Sequence, residues 1–129
     1  MRGRWLKPEF FRDQKMAQIG PEGALVYQAL WIVADDSGMA PCDPEILKGE
    51  MFARWTTITA NTIKDALQSL AETKRITFYQ GGDETFAQIN SWRDNQKVHK
   101  PSAFTHKGDY SKRGKELRKE VPHWCRTSA

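Results

Sequence analysis

The stretch NTIKDALQSLAETKRITFYQGGDETFAQI, residues 61–89, decides the fold. In its first half Ile63, Ala66, Leu67 and Leu70 stand at i, i+3, i+4 and i+7, so one face of a helix is apolar. Thr59 or Asn61 supplies its cap, and Lys74-Arg75 fall in the last turn, where cations complement the helix dipole. In the second half the period changes from helical to alternating. Ile76-Thr77-Phe78-Tyr79-Gln80 and Thr85-Phe86-Ala87-Gln88-Ile89 are β-rich runs around Gly81-Gly82-Asp83-Glu84, which predicts a hairpin with a turn of about four residues. A helix over 61–74 therefore runs directly into a hairpin.

Upstream, the reading continues element by element. Asp43 is a good N-cap with Pro44 at the first helical position, and Ile46, Leu47, Met51 and Phe52 give that helix one broad apolar face. Asp35-Asp36-Ser37-Gly38 is turn chemistry, and Gly38-Met39-Ala40-Pro41 leaves room for one short extended segment. Before the turn, Leu25, Val26, Leu30, Trp31, Ile32 and Val33 predict a helix apolar on most sides, opened by Pro21 and Glu22. It is the expected central helix. Phe10, Phe11, Met16 and Ile19 predict a short helical layer ending at Gly20-Pro21, and Arg4-Trp5-Leu6-Lys7 reads as a strand or extended arm stopped by Pro8. The order predicts a mainly α fold with a small β hairpin: a winged helix-turn-helix with residues 61–74 as recognition helix and 81–84 as wing tip.

Composition sets the limits. With 129 residues, one domain with a tail is expected. Five Trp and six Phe require a packed core despite a hydrophobic content of 39%. No apolar run approaches the roughly 18 residues needed to span a bilayer. Pro8-Glu9 and Asp13 interrupt any signal-peptide segment, and two cysteines are too few for a secreted disulfide scaffold. A cytoplasmic protein without a membrane partner is expected. The net charge of +4 is unevenly placed. Residues 1–96 hold eleven Lys plus Arg against thirteen Asp plus Glu, whereas residues 97–129 hold nine against three. Residues 1–96 are read as the winged-helix domain and 97–129 as a basic C-terminal extension.

Four segments carry a family resemblance. They are Arg4-Trp5-Leu6-Lys7-Pro8-Glu9-Phe10-Phe11, Leu30-Trp31-Ile32-Val33-Ala34-Asp35-Asp36-Ser37-Gly38, Asp43-Pro44-Glu45-Ile46-Leu47-Lys48, and Trp92-Arg93-Asp94-Asn95-Gln96-Lys97-Val98-His99-Lys100-Pro101-Ser102. Over roughly residues 4–104 the chain resembles phage replisome-organiser N-terminal domains and related replication-initiation proteins. The resemblance implies a winged-helix DNA-binding module of a phage or prophage replication protein. Members of this family often continue into a domain that contacts the helicase or its loader; this chain ends at Ala129.

The candidate DNA contacts follow. Thr62, Lys64, Gln68 and Ser69 project from the polar face of the recognition helix toward a groove, although Asp65 and Glu72 share that face. Lys97, Lys100, Lys107, Lys112, Arg113, Lys115, Arg118 and Lys119 in the extension would neutralise phosphates and release counterions. Arg2 and Arg4 would do so as a minor-groove arm. Double-stranded DNA is the expected partner, with a helicase, helicase loader or other replisome protein beside it. The rival readings are a protein-interaction adaptor, favoured by the acidic wing tip Asp83-Glu84, and a transcription regulator of the same fold. No catalytic motif is present, and His99, His106, His123 and Cys125 lack zinc-ligand spacing. An enzyme, a cofactor and a small-molecule substrate are not expected.

Overall fold

In the computed structural model, the described residues are 3–81, 84–92 and 96. The described residues are mainly helical with a small antiparallel sheet. Its elements are α1 (Glu9–Arg12), α2 (Gln14–Ile19), α3 (Pro21–Val33), β1 (Met39–Pro41), α4 (Pro44–Met51), α5 (Ala60–Glu72), β2 (Ile76–Gly81) and β3 (Glu84–Ile89). The sheet order is β1-β3-β2, so β3 lies in the centre and the three-residue β1 covers its open edge. Ala40 pairs with Ala87 on one side of β3, and Phe78 pairs with Ala87 on the other. Pairing on both sides satisfies the backbone of β3, which leaves its alternating residues to divide between two faces.

Local chemistry places each helix. Pro21 opens α3, and the Asp43 carboxylate accepts from the Glu45 and Ile46 amides to start α4 behind Pro44. Thr59 and Thr62 form a reciprocal capping box at the start of α5. Val26 and Leu30 of α3, Leu47 of α4, Ile63, Leu67 and Leu70 of α5, and Ile76 of β2 form the core, with Ile58 sealing the α4–α5 connection. Met39, Tyr79 and Phe86 make a separate small cluster on the sheet.

Arg4–Lys7 form no ladder and run as an arm, one of the two forms expected of them. Three details differ from the expected layout. The first helical layer is two pieces, because Asp13 adopts an extended conformation and caps α2 through the Lys15 and Met16 amides. Helix α5 stops at Glu72, so Lys74 and Arg75 lie outside it. Lys74 takes a φ of 64°, the Arg75 amide donates to the Leu70 carbonyl and the Lys74 amide to the Ala71 carbonyl. That is a Schellman ending with lysine in the place glycine usually holds. Finally, the β2–β3 ladder runs out to Gly81 paired with Glu84, leaving two residues between the strands where four were expected. The extension at 97–129 lies outside the described residues.

Candidate nucleic-acid interface

The polar face of α5 exists because its apolar residues are consumed by α3 and α4. Ile63, Ala66, Leu67, Leu70 and Ala71 are buried, which turns Asn61, Asp65 and Glu72 to solvent and leaves Lys64, Gln68 and Ser69 half-buried at the margins. The two ends of this face differ in charge. No acidic residue stands in the first turn of α5, while Glu72 lies in its last. Backbone amides and the helix dipole make the N-terminal end attractive to phosphate, so the acidic positions weigh against anions mainly along the body and far end of the helix.

The connection from α4 adds to that N-terminal end. Arg54, Trp55, Thr56, Thr57 and Thr59 are all exposed just ahead of α5. Lys48 braces this turn from within: its ammonium donates to the Phe52 and Trp55 carbonyls, both at 2.7 Å. The sequence reading missed Arg54, Thr57 and Asn61 as surface groups. Their signal was available, since a cation and hydroxyl residues immediately before a helix cap are the side chains nearest its open amides.

The expected contact residues separate into groups. Lys64 lies beside the exposed N-terminal half of α5, and Gln68 and Ser69 lie further along the same helix. Thr62 sits at the same end, but its hydroxyl belongs to the helix cap, within 3.0 Å of the Thr59 hydroxyl and 3.2 Å of the Thr59 amide. Arg2, Lys97, Lys100, Lys107, Lys112, Arg113, Lys115, Arg118 and Lys119 lie outside the described residues.

Arg4 is a correction. Its side chain is 5% exposed and folded back onto the end of α3, not extended as a groove-reading arm. Its guanidinium donates to the Trp31 carbonyl at 2.9 Å and to the Ala34 carbonyl at 2.8 Å, lies 3.6 Å from the Asp36 carboxylate, and sits 4.8 Å from the centre of the Trp92 ring. A planar fork can satisfy several carbonyls at once, and the C-terminal end of a helix favours a cation. Burial in that setting removes Arg4 from reach of a phosphate.

Trp92 completes the same junction. Its indole donates to the Asp36 carbonyl at 2.9 Å, and its ring lies where a β-carbon on Gly38 would fall. The Gln96 side chain then clasps the arm by exchanging two bonds of 2.8 Å with the Trp5 backbone. A broad apolar groove of about 370 Å³ lies beside the arm, lined by Leu6, Leu25, Ile32, Met51 and Trp55 among others. Leu6 and Trp55 are each nearly half exposed there. Comparisons with protein-family models, curated proteins and solved structures return no match.

Proposed function

We propose that this chain is a winged-helix DNA-binding module of a phage-type replication initiator or replisome organiser. The observation that carries the reading is the arrangement α3–β1–α4–α5–β2–β3 with sheet order β1-β3-β2, in which α5 keeps a polar outer face and an exposed, threonine-capped N-terminal end. A helix packed through one face on two others is available to enter a major groove with its first turns, and the adjoining hairpin lies beside it. The resemblance of residues 4–104 to replisome-organiser domains supplies the replication context. Arg54, Asn61 and Lys64 would contact the duplex together with Gln68 and Ser69, and the cations of residues 97–129 would add affinity for phosphates.

Electrophoretic mobility of duplex DNA at two salt concentrations tests this with the full chain. The double substitution Arg54→Ala, Lys64→Ala should weaken binding to all sequences and reduce the salt slope by about 2, close to one unit per phosphate contact. Asn61→Ala should relax base preference at one position. Replacing Lys112, Arg113, Lys115, Arg118 and Lys119 with glutamine should flatten the salt slope further. Absence of binding at low salt rejects the proposal.

A second reading, a protein-docking adaptor, is favoured by the apolar groove at Leu6 and Trp55. Exposed tryptophan beside aliphatic side chains is the composition of a partner-binding hot spot. Retention of a helicase or loader in a pull-down under nuclease treatment, lost on Trp55→Ala, would select it.

A further inference from the structure

The sheet has two faces, and only one of them belongs to the helical core. Ala40 of β1, Ile76 and Phe78 of β2, and Ala87 and Ile89 of β3 join the cluster built by α3, α4 and α5. Alternation along the strands sends Met39, Tyr79 and Phe86 to the opposite face, where they form a cluster that no helix joins among the described residues. An antiparallel sheet with one solvated face ordinarily carries polar residues there. Here the outward positions are aromatic and aliphatic, and they are as buried as the core: Met39 and Phe86 are 3% exposed and Tyr79 is 8%. Neighbours in the same sheet border such side chains at their flanks but leave the outer ends open, so burial this deep needs a further layer over the sheet.

The C-terminal extension offers a stretch of the right composition. Most apolar residues of 97–129 stand singly or in pairs among polar and charged ones, whereas Val121-Pro122-His123-Trp124-Cys125 is a dense run closed by an aromatic. Proline favours polyproline II for itself and for the valine before it. That helix has three residues per turn and rises about 3.1 Å per residue, so Val121 and Trp124 share one edge about 9 Å apart. Strands β1 and β2 flank β3, which sets them about 10 Å apart. Trp124 over Tyr79 and Phe86 therefore brings Val121 to the Met39 side. Charge agrees with this placement. Glu84, exposed, is the one charged group among the strand residues of this face, and Arg118, Lys119 and Arg126 outnumber Glu120 around the run. The extension also starts close by, since Gln96 is tied to the Trp5 backbone and Trp92 lies against Gly38, next to β1. A coil of the length between Gln96 and Val121 spans roughly 25–30 Å on average, enough to reach any point on a three-stranded sheet.

We propose that the outer face of the sheet is the docking site for residues 121–124 of the same chain, with Trp124 stacked over Tyr79 and Phe86. The basic stretch 97–120 is then a loop fixed at both ends, at Gln96 and at Trp124, and not a free tail. The inference does not depend on duplex binding through α5.

Cys125, beside the docking tryptophan, allows a direct test in the full chain. Thr77→Cys and Gln88→Cys each put a thiol on the outer face of the sheet, Glu45→Cys puts one on the exposed side of α4, and the natural Cys42 is buried. A disulfide requires Cβ atoms within about 4.5 Å. In oxidised glutathione the faster of the two sheet variants should close an intramolecular disulfide with Cys125 about tenfold faster than Glu45→Cys, because docking raises the local concentration above the millimolar level of a free linker. Adding Trp124→Ala should remove that difference. Trp124→Ala alone should lower the melting temperature by about 5 °C, while Phe104→Ala leaves it unchanged. Tyr79→Ala combined with Trp124→Ala should melt where Tyr79→Ala does, since contacting residues are not additive. The cross-linking arm stands by itself should Tyr79→Ala fail to fold.

Equal cross-linking rates at the sheet positions and at position 45 overturn the proposal. So does a Trp124→Ala melting temperature equal to that of the parent. Loss of stability in Phe104→Ala in its place also overturns it, and gives the face to another stretch of the extension. Disulfide-linked dimers at micromolar concentration in place of the intramolecular loop overturn it as well, and give the face to a second copy of the chain. Duplex affinity enters none of these readouts, which separates failure here from failure of the DNA-binding reading.

Discussion

Arg4 gives the sharpest test of how this domain is held together, because the two roles available to it have opposite consequences. Arg4→Met preserves length and packing while removing the charge and the hydrogen-bonding fork. The Trp31 and Ala34 carbonyls then lose donors at 2.9 and 2.8 Å, and Asp36, whose side chain is only 8% exposed, loses its cation. Breaking a buried pair by removing one partner costs about 3–5 kcal/mol. A separation of 3.6 Å between guanidinium nitrogen and carboxylate oxygen is longer than a hydrogen bond, which places this pair toward the lower end. The expected loss is therefore about 3 kcal/mol, a fall in melting temperature on the order of 15 °C for a domain of this size. Urea unfolding followed by circular dichroism measures it.

Arg4→Lys should recover only part, since a point charge on a flexible stem cannot span two carbonyls and lie over the Trp92 ring together. A loss below about 0.5 kcal/mol, the size typical of surface substitutions, would refute the reasoning. An accompanying drop in DNA affinity without loss of stability would restore the groove-reading arm.

Two further predictions concern the same end of the molecule. Gly38 has a φ of +85°, and a β-carbon there would lie 2.5 Å from Trp92 Cγ, so Gly38→Ala combines backbone strain with overpacking and should cost about 2–4 kcal/mol; a change below about 1 kcal/mol in urea would contradict that geometry. Burial raises the ionisation of Tyr27 above its usual value of 10.0, outweighing Arg75, which lowers it. The unfolded chain therefore releases this proton first, so stability should fall as pH rises through 10. Urea midpoints measured from pH 9 to 11 should show a smaller fall in Tyr27→Phe, and an identical slope in the two proteins would count against the assignment.

Local sequence was enough wherever a feature depends on neighbours in the chain. Pro21, the Asp43-Pro44 start, the Thr59 cap and the 63/66/67/70 period all mark real elements, because capping and amphipathic spacing act within one or two turns. The same local logic failed at Lys74 and Arg75. Cations near a helix end suit its dipole whether they stand inside the last turn or just beyond it, and the left-handed residue that ends α5 is lysine, which carries no sequence signature. Asp13 was legible only as an interruption; its double role as cap of α2 and partner of Arg75, 62 residues away, required the folded chain.

The candidate interface divides along the same line. The composition of the α5 polar face could be read from its period, since burial of one face leaves the other outward. Which end of that face suits a phosphate could not, because it depends on Arg54 and the threonines that the α4–α5 turn brings to the helix start.

By itself, the sequence determined that residues 21–89 alternate between helix, short strand, two helices and a hairpin, because hydrophobic period and turn chemistry are properties of contiguous residues. Only the tertiary structure decided that β1 joins β3, that Arg4 and Trp92 lock the end of α3, and that Trp5, Asp13, Tyr27 and Arg75 line one cavity. Those groups come from distant parts of the chain. A buried guanidinium and a solvent-facing one are the same letter in a sequence, and the surrounding carbonyls, carboxylate and ring distinguish them only once the backbone has closed.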